Sequence, residues 1–222
     1  FWSFACHPIN EPDLNSLSSE YIGLVREHIR KSLNTNTPII FAQGFAGNIR
    51  AKLNTELNSF SSKIKTLFKL PDDFKNKAND YEAWQLNLLN AIDKTLASDK
   101  IDIQDKPIIN FKTNIALKNL INDYKGPIQN LEIQKWRLGG VLLICLSAEP
   151  VTEYNDIFNS LIKEPFIPIG YTADSFGYLP ISKQIKEGGY ETKGFFKLFN
   201  IEGIFKDKPE EKVVAYFNQS NS

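Results

Sequence analysis

The residues of this chain that could do chemistry are few and stand far apart in sequence. Its 222 residues include two histidines and two cysteines: His7 and His28, Cys6 and Cys145. His7 follows the apolar run FWSFAC, and Glu149 follows VLLICLSA. A third apolar run, PFIPIGYT, leads toward FGYLPISKQIKEGGYET at 176–192, where Tyr178 and Tyr190 stand beside Gly177, Gly188 and Gly189. A histidine, a carboxylate and further oxygen donors at one mouth would suit a zinc ion that keeps an open position. Such an ion activates water and polarises a carbonyl. Glycine permits close approach of a ligand to the backbone, and tyrosine offers an apolar body with an ionisable tip. Taken alone, this stretch reads first as a surface turn with two packing aromatics. No HExxH and no CxxC occurs, so spacing alone does not name a metal centre.

Those residues need elements to position them. Residues 1–6 and 38–43 (PIIFAQ) read as short buried strands, the second delivering Gln43 and the loop GFAGN at 44–48. Apolar residues recur at the helical period over 18–33, with Ser18 or Ser19 as N-cap, and again over about 50–69 and 78–97. LPDD at 70–73 reads as a break between the last two. His28 falls inside the first helix as an ordinary side chain. Residues 107–117 and 131–138 alternate like half-buried strands, Gly139-Gly140 turns the chain, and 141–148 reads as a fully buried strand. A helix over 150–163 opened by Pro150, a strand over 165–172 and a helix over 208–219 complete the pass. Strands alternating with helices predict an α/β fold, a layered mixed β-sheet core flanked by helices, over 1–222 as a single domain. Ligands in such domains collect beyond the carboxyl ends of the strands, where His7, Gln43, Glu149 and the tyrosine stretch are delivered.

Composition narrows the partners. Basic and acidic residues number 26 each, and Lys-rich pieces are interrupted by apolar residues. No surface for tracking phosphates, and so no nucleic-acid partner, is indicated. No apolar run approaches the length of a transmembrane segment. Two cysteines are too few for a disulfide scaffold, and each sits in an apolar run, so both read as buried free thiols. The chain has no methionine and opens inside an apolar run, which reads as part of a longer product.

Taken in order, FACHP, FAQGFAGNIR, WRLGGVLLICLSAEPVTEY and GYTADSFGYLPISKQIKEGGYE resemble the neutral/alkaline, non-lysosomal ceramidase family and its bacterial ceramidase-like relatives. The resemblance covers about 1–50 and 130–192. It implies part of a larger ceramidase-like catalytic domain, with zinc as cofactor and an amide substrate, small or lipid-like. His7, Glu149 and Tyr178 match metal ligands of the family, and Tyr190 matches a tyrosine that stabilises the developing oxyanion. The loop carrying Gly47 and Asn48 matches substrate-binding positions, as does Gly189. The family's first zinc histidine lies upstream of the segment matched by FACHP, before Phe1. Where the ceramidases carry Gly-Asp-x-Ser-Pro-Asn, this chain has Gly47-Asn48-Ile49-Arg50-Ala51-Lys52. Arg50 takes the serine position, as either a clamp for an anionic group or a surface arginine. The resemblance therefore implies a zinc-dependent amide hydrolase of sphingolipid type whose substrate need not be ceramide, in a secreted or periplasmic setting. The alternative is a non-catalytic scaffold of the same fold that binds a lipid, a glycan or a partner. Oligomeric state is not legible.

Overall fold

The structure is a computed structural model that describes residues 1–11, 16–53, 74–98 and 109–219. The chain forms two compact units, one of 1–6, 41–49 and 101–222, the other of 7–40 and 50–100.

The first unit is built on a mixed sheet in the order β3-β5-β6-β8, formed by β3 (Ile109–Ala116), β5 (Asn130–Leu138), β6 (Val141–Leu146) and β8 (Phe166–Ile169). β5 and β6 are a hairpin whose two turn residues, Gly139 and Gly140, have φ of 56° and 89°. Positive φ at both positions is what a tight two-residue hairpin turn requires. β6 runs parallel to β8, so a crossover must join them, and the helix α3 (Glu153–Leu161) lies in that connection.

The unbroken apolar run of β6 follows from cover on both faces. Leu142, Ile144 and Leu146 join the main core with Tyr154, Phe158, Val213 and Phe217. Leu143 and Cys145 face the other way, with Ile169, Ala42 and Trp136. Phe158 lies 4.8 Å from the Phe217 ring, which belongs to the last helix, α5 (Pro209–Asn218). Proline opens α5 at its first turn, where its missing N–H costs nothing.

Short strands complete the first unit. β1 (Trp2–Phe4) pairs in parallel with β2 (Phe41–Gln43). β4 (Ile121–Lys125) pairs antiparallel with β10 (Glu202–Phe205), with a register shift between Glu202 and Ile204. β7 (Glu149–Pro150) pairs in parallel with β9 (Tyr178–Leu179). The expected opening of a helix at Pro150 is thus corrected: the helix begins at Glu153. Glu149 and Val151 donate to the carbonyls of Gly177 and Leu179. Pro150 stands between them, where a parallel ladder asks for no donor.

The second unit contains α1 (Glu20–Leu33) and α2 (Phe74–Ala97). Tyr21 meets Trp84 edge-on at 5.5 Å, Tyr81 stacks on Trp84, and the Tyr81 hydroxyl donates to Glu20 at 2.7 Å. His28 is spent on a 2.6 Å contact with Asp93 across these helices. Of the two expected caps, Ser19 is the N-cap but makes no side-chain capping bond, and Ser18 accepts the Glu20 amide through its hydroxyl. Residues 50–53 are not helical, and the rest of the helix expected over 50–69 lies outside the described residues, as does the break at 70–73.

Candidate functional site

Backbone hydrogen bonds gather the carboxyl ends of four strands. The Gly44 amide, just past β2, donates to Phe4 at the end of β1, and Gly170, just past β8, donates to Gln43 at the end of β2. Tyr171 then donates to Ala148, and Thr172 to Leu146, at the end of β6. The Gln43 side chain is consumed in the same work, donating to the carbonyls of Phe4 and Cys6. The rule that polar residues collect at strand exits is therefore met in this unit by direct bonding.

On this edge the pairing of β7 with β9 sets Glu149 directly opposite Tyr178. Burial first, then the charge of Glu149, hold the Tyr178 phenol well above the usual tyrosine range. Tyr190 meets Tyr178 edge-on, ring centres 5.5 Å apart, and is itself 45% exposed. It opens a single wide π-type turn, Tyr190–Gly194, closed by the Phe195 amide on the Tyr190 carbonyl. Gly188 and Gly189 precede that turn at φ of 75° and 117°.

A third phenol belongs to this group. Tyr171 donates its hydroxyl to Oε2 of Glu149 at 2.8 Å. Sequence reasoning passes over Tyr171, treating it as the tail of a core strand. Its one legible signal is its place after a glycine at a strand exit.

The loop 44–48 packs against the backbone of Glu149–Pro150. Gly47 donates its amide to Pro150, and a β-carbon on it would come within 2.6 Å of the Glu149 carbonyl oxygen. Asn48 is exposed, and its amide bridges two neighbours: Oδ1 accepts the Thr152 amide, and Nδ2 donates to Glu153. Glu153 also accepts from the buried Gln184 on α4 (Ser182–Glu187). Asn48 thus ties its loop to the first turn of α3.

The first unit accordingly brings together Glu149, Tyr178 and Tyr190, with Tyr171 added and Gly47, Asn48 and Gly189 on adjoining segments. His7 and Arg50 each stand one residue inside the second unit. His7 is buried, and its carbonyl accepts from the Asn10 side chain at 3.0 Å. Arg50 is exposed. Among the described residues no three or more His, Cys, Asp or Glu side chains gather in a group that could hold a metal. The donor set around Glu149 is instead one carboxylate and phenols. No described helix is long and apolar enough to cross a membrane.

No family model matches the chain, and no curated protein matches it. Among solved structures it is similar to a neutral ceramidase from Pseudomonas aeruginosa, with a TM-score of 0.57 and 13% identity. The match covers 85% of this chain and 39% of that one. At such identity the likeness is one of fold, and this chain has a ceramidase-like α/β fold.

Proposed function

We propose that the chain carries part of the active site of a zinc-dependent amide hydrolase. The observation that carries this reading is Glu149 set directly opposite Tyr178 by the β7–β9 pairing, with the Tyr171 hydroxyl on its carboxylate and Tyr190 against Tyr178. A carboxylate oxygen is an ordinary zinc ligand. The Tyr178 phenol, on the strand paired with Glu149, would offer a second oxygen donor. Together they would supply part of a zinc shell. The nitrogen donor would be His7, whose assignment rests on the sequence resemblance.

When bound, zinc would supply a Lewis acid that activates water and polarises the amide carbonyl. The chain's own residues would do the rest. The half-exposed Tyr190 hydroxyl would donate to the oxygen that gains charge as the amide is attacked. The glycines before Tyr190 would let a substrate pass close to the backbone. Arg50, in the place of the ceramidases' serine, would favour a carboxylate or other polar group over a bare sphingoid chain through its fixed fork of donors.

The test is hydrolysis of a panel of N-acyl amides by the intact protein, before and after zinc chelation. The expected result is turnover lost on chelation, restored by zinc, and stronger on an anionic or polar amide than on plain ceramide. Arg50→Ala should raise KM for that amide more than it lowers kcat. Absence of any zinc-dependent hydrolysis would leave the scaffold as a binding module.

A further inference from the structure

Tyr171 sits in a backbone conformation that an aromatic residue rarely takes. Its φ is 57°, in the left-handed region where a bulky side chain is strained. The segment is held there from both sides: Gly170 donates to Gln43 at 2.9 Å, Tyr171 to Ala148 at 2.8 Å and Thr172 to Leu146 at 3.3 Å. The strain is not offset by ring burial, because Tyr171 remains 38% exposed. What the conformation achieves is to aim the phenol at Oε2 of Glu149, 2.8 Å away. Strain of this kind persists only where the surroundings over-determine it, and it gathers at working sites.

We propose that Tyr171 is a positioning residue for Glu149: its phenol holds one carboxylate oxygen and fixes the orientation in which the group meets its ligand. The inference rests on the reading of Glu149 as a metal ligand. The carboxylate is held by Tyr171, just past β8, and Tyr178 stands opposite it on β9. A ligating carboxylate that is fixed before the metal arrives loses less freedom on binding, and removing such a partner weakens binding. No proton transfer is assigned to Tyr171.

The experiment is zinc binding by the intact protein, measured by competition with a chromophoric chelator, in wild type, Tyr171→Phe and Tyr171→Gly. Tyr171→Phe should bind roughly 10–100-fold more weakly with an unchanged thermal midpoint. Tyr171→Gly, which also relieves the backbone, should bind as weakly while being no less stable than wild type. Equal affinities in wild type and Tyr171→Phe would overturn the inference, as would weakened binding matched by a loss of stability in both variants. If wild type takes up no zinc, the hydrolase reading fails, and the role of Tyr171 is then decided by crystal structures of wild type and Tyr171→Phe. A rotated or disordered Glu149 carboxylate in the variant upholds the role, and an unchanged one refutes it.

Discussion

Gly47 lies so close to Glu149 that a single added carbon would strike the Glu149 carbonyl oxygen at 2.6 Å. The contact is with backbone on both sides, since the same carbon would meet the Pro150 carbonyl oxygen at 2.9 Å. Neither can swing aside as a flexible side chain could. Gly47→Ala should therefore push the 44–48 loop off the Glu149–Pro150 strand and break the Gly47 amide bond to Pro150. The expected cost is about 1–3 kcal/mol, the range for overpacking a tight contact. Urea denaturation would show it as a lower midpoint at unchanged slope.

Asn48 stabilises α3 from outside the helix. Its side chain accepts the Thr152 amide at 2.8 Å, one of the donors that the start of a helix leaves unpaired. Asn48→Ala should cost about 1 kcal/mol, as loss of a capping side chain does. Asn48→Asp should also destabilise, because its donor to Glu153 would become a second carboxylate facing the first. Thermal melts of both variants check this. A stability equal to wild type in both would return Asn48 to a purely substrate-facing role.

Tyr190 can be separated from its own packing. Phenylalanine there keeps the ring against Tyr178 and removes only the hydroxyl. If that hydroxyl serves the developing oxyanion, Tyr190→Phe should lower kcat roughly 10²–10³-fold with KM little changed. Steady-state kinetics on the best amide of the panel measures it. A rise in KM at constant kcat would assign Tyr190 to substrate binding instead.

The thiols give a pH test that needs no substrate. Cys6 and Cys145 are free and buried, in keeping with their apolar runs. Burial pushes the Cys145 thiol up to about 11 from an ordinary value of 9.0. The folded state therefore holds this proton more tightly than the unfolded state. The resulting contribution to stability is complete below about pH 9 and is lost as pH rises through about 11. Alkaline denaturation should set in within that window, later in Cys145→Ala once its lower starting stability is allowed for. Iodoacetamide at pH 8 should label neither thiol until the protein is unfolded.

Much of the scaffold was legible because its signals are local. The alternation of 131–138 and the Gly139-Gly140 pair announced the β5–β6 hairpin, and the run VLLICL announced a strand covered on both faces. The helical period over 18–33 and 78–97 marked α1 and most of α2. The emergence of Glu149 just past β6 was legible for the same reason: an apolar run has to end, and the residues next in the chain emerge at an edge of the sheet.

Tertiary structure decided the rest. Pro150 reads as a helix opener when only its neighbours count, yet a distant strand, Tyr178–Leu179, claims it. The register that sets Glu149 opposite Tyr178 joins residues 29 positions apart. β4 and β10 are too short to announce themselves and exist because each supplies the other's hydrogen bonds. Tyr171 had no periodic signature at all. Its left-handed backbone is imposed by bonds to β2 and β6, and its phenol finds Glu149 only after both strand exits are in place. Local propensity chooses elements through neighbours in the chain, whereas a site of this kind is specified by pairings whose partners lie far along it.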